Sequence, residues 1–236
     1  MRFQIEKEIF NYFKGMKVIA IVAQGIKLPE DPAAIEAMLN DAWQKAASAG
    51  ARYENPQSHP FIKPWGDHMK AVGANRKQFP CSIESLVRRA MKVSKPININ
   101  PLVDFYNAVS LNYLVPAGGF DIDALNNDLW LRFSKQGDVF LALDSNEEIN
   151  LPDGEVSYAD GSVIITRHFV WKQAKHAILA PECKNVLFVS EVLGELPSNT
   201  VDDVSKAFTD GLMQYFKVNT KAHVLDENNM DFFINH

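Results

Sequence analysis

The chain has 236 residues, 24 Lys+Arg against 29 Asp+Glu, a formal net charge of −5 and 47% apolar residues. That length suits one large domain or two small ones at about 100–200 residues each, and the acidic balance argues against a non-specific nucleic-acid binder. Two cysteines, Cys81 and Cys183, exclude a disulfide framework and a Cys-rich zinc module; with no apolar run near the ~18 residues of a membrane span and a charged opening unlike a signal peptide, the expectation is a reduced, cytoplasmic chain.

Met16 to Ala23, MKVIAIVA, is a short apolar run rich in β-branched residues and predicts a buried strand. Asp31-Pro32 then pairs a capping residue with a proline suited to the first helical position. Ile35, Met38, Leu39, Ala42 and Ala46 follow at helical spacing, with Gly50 as the expected stop. Asn55 to Gln78 has little periodicity and holds Pro56, Pro60, Pro64 and Gly66, so it reads as irregular with a short helix inside it. A second helix is predicted over Ile83 to Met91, capped by Ser82, with Glu84 near its positive end and Arg88, Arg89 and Lys92 near the other. A third is predicted over Pro101 to Leu114, burying Leu102, Phe105, Tyr106, Val109 and Tyr113.

After Gly118-Gly119 the character changes. Leu129 to Ser134, Asp138 to Leu143, Glu155 to Ala159, Ser162 to Arg167 and Asn185 to Ser190 are short, β-prone and separated by turn residues. A last amphipathic helix covers Val201 to Phe216. The order predicts an α+β fold: one compact unit, residues 1–236, with a β-sandwich-like core flanked by helices.

Glycine-rich nucleotide loops, hydrolase elbows and metalloprotease motifs do not occur. His59, Asp67 and His68 fit no standard metal spacing, so neither a metal nor a cofactor is expected. Cys81 precedes a helix N-terminus, but its sequence context favours a small buried side chain over a nucleophile. Two segments are richer in polar residues than a core requires. Asn98 to Asp123 holds Asn100, Asp104 and Asn107 along a helix, although Asn disfavours helix interiors unless it has a partner. Arg167 to His176 surrounds Trp171 with Arg167, His168, Lys172 and Lys175, a pattern that can hold phosphate and stack a base.

Phe79 to Asp123 also forms one longer pattern. It contains the Arg88-Arg89 pair, the run Ile99-Asn100-Pro101-Leu102-Val103-Asp104 followed by Asn107, and the turn Pro116-Ala117-Gly118-Gly119-Phe120-Asp121. Leu131-Arg132-Phe133, Gly154-Glu155-Val156, Tyr158-Ala159-Asp160, Trp171-Lys172-Gln173 and Asn185-Val186-Leu187-Phe188 continue it. From about Met16 to Phe216 the chain resembles the B3/B4 domain of the bacterial phenylalanyl-tRNA synthetase β subunit, and more closely the free-standing proteins built from that domain.

The resemblance implies hydrolysis of misacylated tRNA in trans, with the aminoacylated acceptor end of tRNA as partner, no DNA or membrane partner, and no complete synthetase. It implies Glu191, Gly118, Gly119 and Asn107 as catalytic residues. Arg88, Asn100, Tyr106, Arg167, His168, Trp171 and Lys172 are implied in binding substrate or RNA. The chain departs from the family pattern at Tyr106, where the family has Thr, and at Gly118, where it has His. Arg167-His168 falls where the family has a Gly-Gly loop, and Glu191 matches the pocket glutamate only after a shift of two residues. Two alternatives therefore stand beside the deacylase: a non-catalytic tRNA-binding module, and an amino-acid-type small-molecule binder or hydrolase without RNA.

Overall fold

A computed structural model describes residues 1–234. In chain order the elements are β1 (Arg2–Ile5), α1 (Ile9–Tyr12), β2 (Lys17–Ala23), α2 (Ala33–Ala51), α3 (Lys63–Ala71), α4 (Ser82–Ala90) and α5 (Pro101–Tyr113). There follow β3 (Ala117–Asp121), β4 (Leu129–Phe133), β5 (Val139–Leu141), β6 (Glu148–Asn150), β7 (Val156–Asp160), β8 (Val163–Arg167) and β9 (Lys172–Gln173). The chain ends with β10 (Val186–Val192), α6 (Thr200–Phe216), β11 (Ala222–Leu225) and β12 (Asp231–Phe233). Short 3₁₀ turns lie at Pro56–Ser58 and Ile122–Ala124.

The strands form two sheets. The smaller has the order β11-β2-β10-β3; the larger has eight strands, ordered β12-β1-β4-β7-β8-β5-β6, with β9 paired to β8. All seven residues of β10 are buried, because the small sheet is covered on both faces, the condition under which a strand reads as a continuous apolar run. Alternation along β10 sends Phe188 against Phe105 of α5 and Phe208 of α6. It sends Glu191 the other way, to Tyr158 of the large sheet. Helices, small sheet and large sheet are thus successive layers; the main apolar core runs from Phe3 to Ile234, and Phe140, Ala142, Leu151, Ala159, Ile164 and Ala174 form a second, smaller one. The architecture is α+β, with sheet packed on sheet. Among the described residues no helix is long and apolar enough to cross a membrane.

The anticipated helices form, with three corrections. Gly50 does not end α2, which runs to Ala51. A Cβ there would lie 2.7 Å from Met91 Sδ and 2.8 Å from Val87 Cγ1, so this glycine permits the close approach of α4. Ser82 is the first residue of α4, not its cap; Cys81 holds the cap position without a side-chain cap bond, and the Ser82 amide donates to Val170 O at 2.7 Å. Tyr106 and Tyr113 are only half-buried, and α5 instead buries Val103, Asp104, Ala108 and Leu111 as well, since it packs between α2, α6 and the small sheet. Strands β1, β3, β6, β9, β11 and β12 were not anticipated. Most are short pieces at or near sheet edges whose structure comes from a partner strand.

Candidate functional site

The two sheets part around an open cavity of about 270 Å³. Ser82, Ser85, Leu86 and Arg89 line one side, at the spacing that places residues on one helix face. The opposite face of α4 sends Ile83, Val87 and Ala90 into the core. From α5 come Tyr106 and Asn107; from the small sheet come Pro116 to Phe120, Val189 and Glu191. The large sheet supplies Tyr158 and Thr166, and the segment Phe169 to Gln173 closes the far wall.

Glu191 is 2% exposed. Tyr158 Oη donates to its Oε1 at 2.6 Å, and no other side chain among the described residues bonds the carboxylate. Burial, partly offset by hydrogen bonds from Tyr158 and from its own backbone amide, raises its pKa from the usual 4.5 to about 7. Burial and the adjacent Glu191 push the Tyr158 phenol well above its ordinary value, so the phenol remains a donor. Tyr106 is raised to about 12, chiefly by burial. Neither the Tyr106 hydroxyl nor the Asn107 amide is hydrogen-bonded to another described residue. Asn107 is therefore a helix-interior asparagine that faces a cavity without a protein partner.

Gly118 and Gly119 are not in a turn; both lie in β3. Glu191 N donates to Pro116 O, and Ile122 N donates to Asn185 O, which sets the phase of the β3–β10 ladder. By antiparallel alternation Gly118, opposite Val189, uses its amide and carbonyl on β10, whereas those of Gly119 point to the free sheet edge. Gly119 O accepts from Gln173 Nε2 at 3.3 Å, and the Gly119 amide has no partner among the described residues. A Cβ on Gly118 would meet nothing within 4 Å, whereas one on Gly119 would lie 2.7 Å from Leu179 Cδ1. The two glycines thus have different roles: Gly118 leaves space in the cavity, and Gly119 fits the core while turning an amide outward.

The wall Phe169 to Gln173 is held from behind. His168 and Phe169 both adopt left-handed backbone, with φ 43° and 62°, conformations that cost about 1–3 kcal/mol each in non-glycine residues. Buried Glu155 secures this turn: Arg167 Nη2 donates to it at 2.7 Å, Arg167 Nε at 2.9 Å and the His168 amide at 3.0 Å. The His168 ring stacks on Phe79 at 3.8 Å, and burial lowers its pKa.

Of the residues anticipated for the site, the cavity gathers Tyr106, Asn107, Gly118, Gly119, Trp171, Lys172 and Glu191. Four others lie outside it. Arg88 pairs with the fully buried Glu84, which also receives Arg76 Nε at 2.7 Å. Asn100 caps α5, its Oδ1 accepting from the amides of Leu102 and Val103 at 3.0 and 3.1 Å. Arg167 and His168 form the supporting turn. Tyr158, Phe120 and Glu155 are not among the residues that the sequence assigns to the site, whereas Arg89 stands there only within the basic patch Arg88, Arg89 and Lys92. A local signal existed for Arg89: Glu84 and Arg88 are four apart and pair along the helix, leaving Arg89 free. The others depend on strand pairing. Cys81 is buried, which pushes its thiol up to about 12, and among the described residues no three His, Cys, Asp or Glu are placed to hold a metal.

No curated protein matches the chain. Among solved structures it is similar to an N-terminal fragment of the phenylalanyl-tRNA synthetase β-subunit from Pyrococcus horikoshii, with 10% identity and a TM-score of 0.48. That match covers 92% of this chain and 49% of the fragment, so the chain spans about half the fragment's length. The family model for the B3/4 domain matches residues 64–207, from α3 into α6 and across every cavity-lining residue; the chain belongs to the B3/4 domain family.

Proposed function

We propose that the chain is an aminoacyl-tRNA deacylase acting in trans, with the cavity as its active site. The observation that carries this reading is Glu191: a buried carboxylate at the cavity floor, tied by one oxygen to a neutral phenol and titrating near neutral pH. A general base works best when its pKa lies near the operating pH. An aminoacyl ester is already activated, so an oriented water and a donor for the developing oxyanion suffice. The water oxygen attacks the ester carbonyl carbon as Glu191 takes the water's proton. The bond from that carbon to the ribose oxygen then breaks, and the proton passes to the leaving ribose oxygen. The products are a free amino acid and an RNA end with its hydroxyl restored. The outward amide of Gly119 serves as the oxyanion donor, and the unpartnered Asn107 amide holds the ribose.

A panel of tRNAs charged with correct and incorrect amino acids, assayed for release of the amino acid, tests this. Acceleration is expected with at least one member, rising with pH through about 7 as Glu191 ionises. Glu191→Gln is expected to lower the rate about 10²–10⁴-fold. No acceleration with any member at micromolar protein rejects the reading.

A further inference from the structure

We propose that the chain carries a second binding site, for a guanidinium group, in a cavity separate from the one between the sheets. This cavity holds about 340 Å³ and lies where the end of β1, α1, β4 and the end of α3 come together. Tyr12, Phe133, Glu6, Glu8, Ala71 and Val72 form its walls, and no residue lines both cavities. The rings of Tyr12 and Phe133 make an aromatic corner, with centroids 5.7 Å apart and planes at 73°. Two carboxylates stand beside it. Glu6 Oε2 accepts from Phe133 N at 2.9 Å, which fixes that carboxylate against the strand. Glu8 is exposed. Neither glutamate forms an ion pair among the described residues, and neither do Lys7 and Lys70, the nearest cations in sequence, which do not line the cavity. Ala71 is the last residue of α3, so the negative end of that helix adds to the same wall.

An aromatic corner beside unpaired carboxylates selects an organic cation. Both glutamates repel an anion, and a neutral polar molecule gains nothing from their charge. A calcium or magnesium ion needs about six oxygen ligands, more than two carboxylates supply. Among organic cations the guanidinium fits best. It is planar, stacks on a ring face, forks onto a carboxylate and is more weakly hydrated than an ammonium. The corner takes its plane, and the glutamates take its N–H groups. Such a group arrives either on a small guanidino compound or on an arginine side chain of a partner protein. The inference is independent of the deacylase reading.

The test titrates the full chain, labelled with nitrogen-15, with methylguanidinium chloride, methylammonium chloride and N-methylurea, the last a neutral molecule of nearly the same shape. Ionic strength is held constant, and amide resonances are followed by NMR. Methylguanidinium should shift the Phe133 and Gly154 amides saturably, with a Kd of about 1–10 mM. Methylammonium should bind several-fold more weakly, and N-methylurea should give no saturable shift over the same range. Glu8→Gln and Tyr12→Leu should each weaken methylguanidinium about two- to five-fold, while Tyr12→Phe should bind like the parent. Two further probes identify the carrier: tighter binding of 4-aminobutylguanidine marks a free guanidino compound, and tighter binding of the blocked peptide acetyl-Gly-Arg-Gly-amide marks a partner's arginine. The inference is overturned if methylguanidinium gives no saturable shift, if N-methylurea binds equally well, or if the Tyr12→Leu and Glu8→Gln double variant binds like the parent.

Discussion

Glu155 and Glu191 are both buried carboxylates, one just ahead of β7 in the large sheet and one within β10 in the small sheet, and they are furnished in opposite ways. Glu155 is met by a guanidinium and a backbone amide. Glu191 is met by a neutral phenol on one oxygen. A carboxylate removed from water keeps its charge at low cost only where cations and N–H donors replace the solvent; where they are few, its pKa rises. The saturated glutamate holds a strained turn in shape, and the under-furnished one is free to exchange a proton. The cavity needs both, since one fixes its wall and the other forms its floor.

Glu155→Ala should have the largest effect. It strands Arg167 and releases the His168–Phe169 turn, so a loss of about 3–5 kcal/mol is expected in chemical denaturation. Replacing Glu155 and Arg167 together by Leu and Met should recover much of it; a double variant as unstable as the single one would deny the ion pair its part.

Glu191 should behave in the reverse sense. Its folded pKa lies above its ordinary value, so the native state binds the extra proton and folding stability falls as pH rises from about 4.5 to about 7. Glu191→Gln removes that penalty. The variant should be more stable than the parent at pH 8, by up to about 3 kcal/mol, and the gain should vanish below about pH 4.5. Equal stability at both pH values would mean that Glu191 is well solvated.

The two glycines of β3 sharpen the contrast on a smaller scale. Gly119→Ala pushes a methyl against Leu179 and Phe188 and should cost about 1–3 kcal/mol. Gly118→Ala enters open space; stability should change by less than about 0.5 kcal/mol, while KM for the substrate rises. A stability loss at Gly118 equal to that at Gly119 would contradict the strand phase.

Much of the fold is legible in short windows of sequence. MKVIAIVA predicts β2, and the helical spacing from Ile35 to Ala46 predicts α2. Pro101 opens α5 where the sequence places its start, whereas Asn100, read in sequence as a binding residue, is the cap of that helix. These features depend on residues a few positions apart, so local pattern suffices. β3 was not legible, because Ala-Gly-Gly-Phe-Asp has no β-branched residue and becomes a strand through β10. The site was legible in part. Arg167 and Arg89 read as equivalent cations in sequence, and they differ because the β7–β8 hairpin delivers Glu155 to the first.

Apart from the short α1, the helices, the central strands and the residues that carry the family pattern are legible along the chain, since periodicity and capping act over a turn or two. Which polar groups remain free depends on how distant segments pack. Tyr158 reaches Glu191 because the two sheets pack face to face, and Gln173 reaches Gly119 because their edges meet. Whether a charge is neutralised, and whether an amide faces a partner strand or a cavity, depends on segments far apart in the chain.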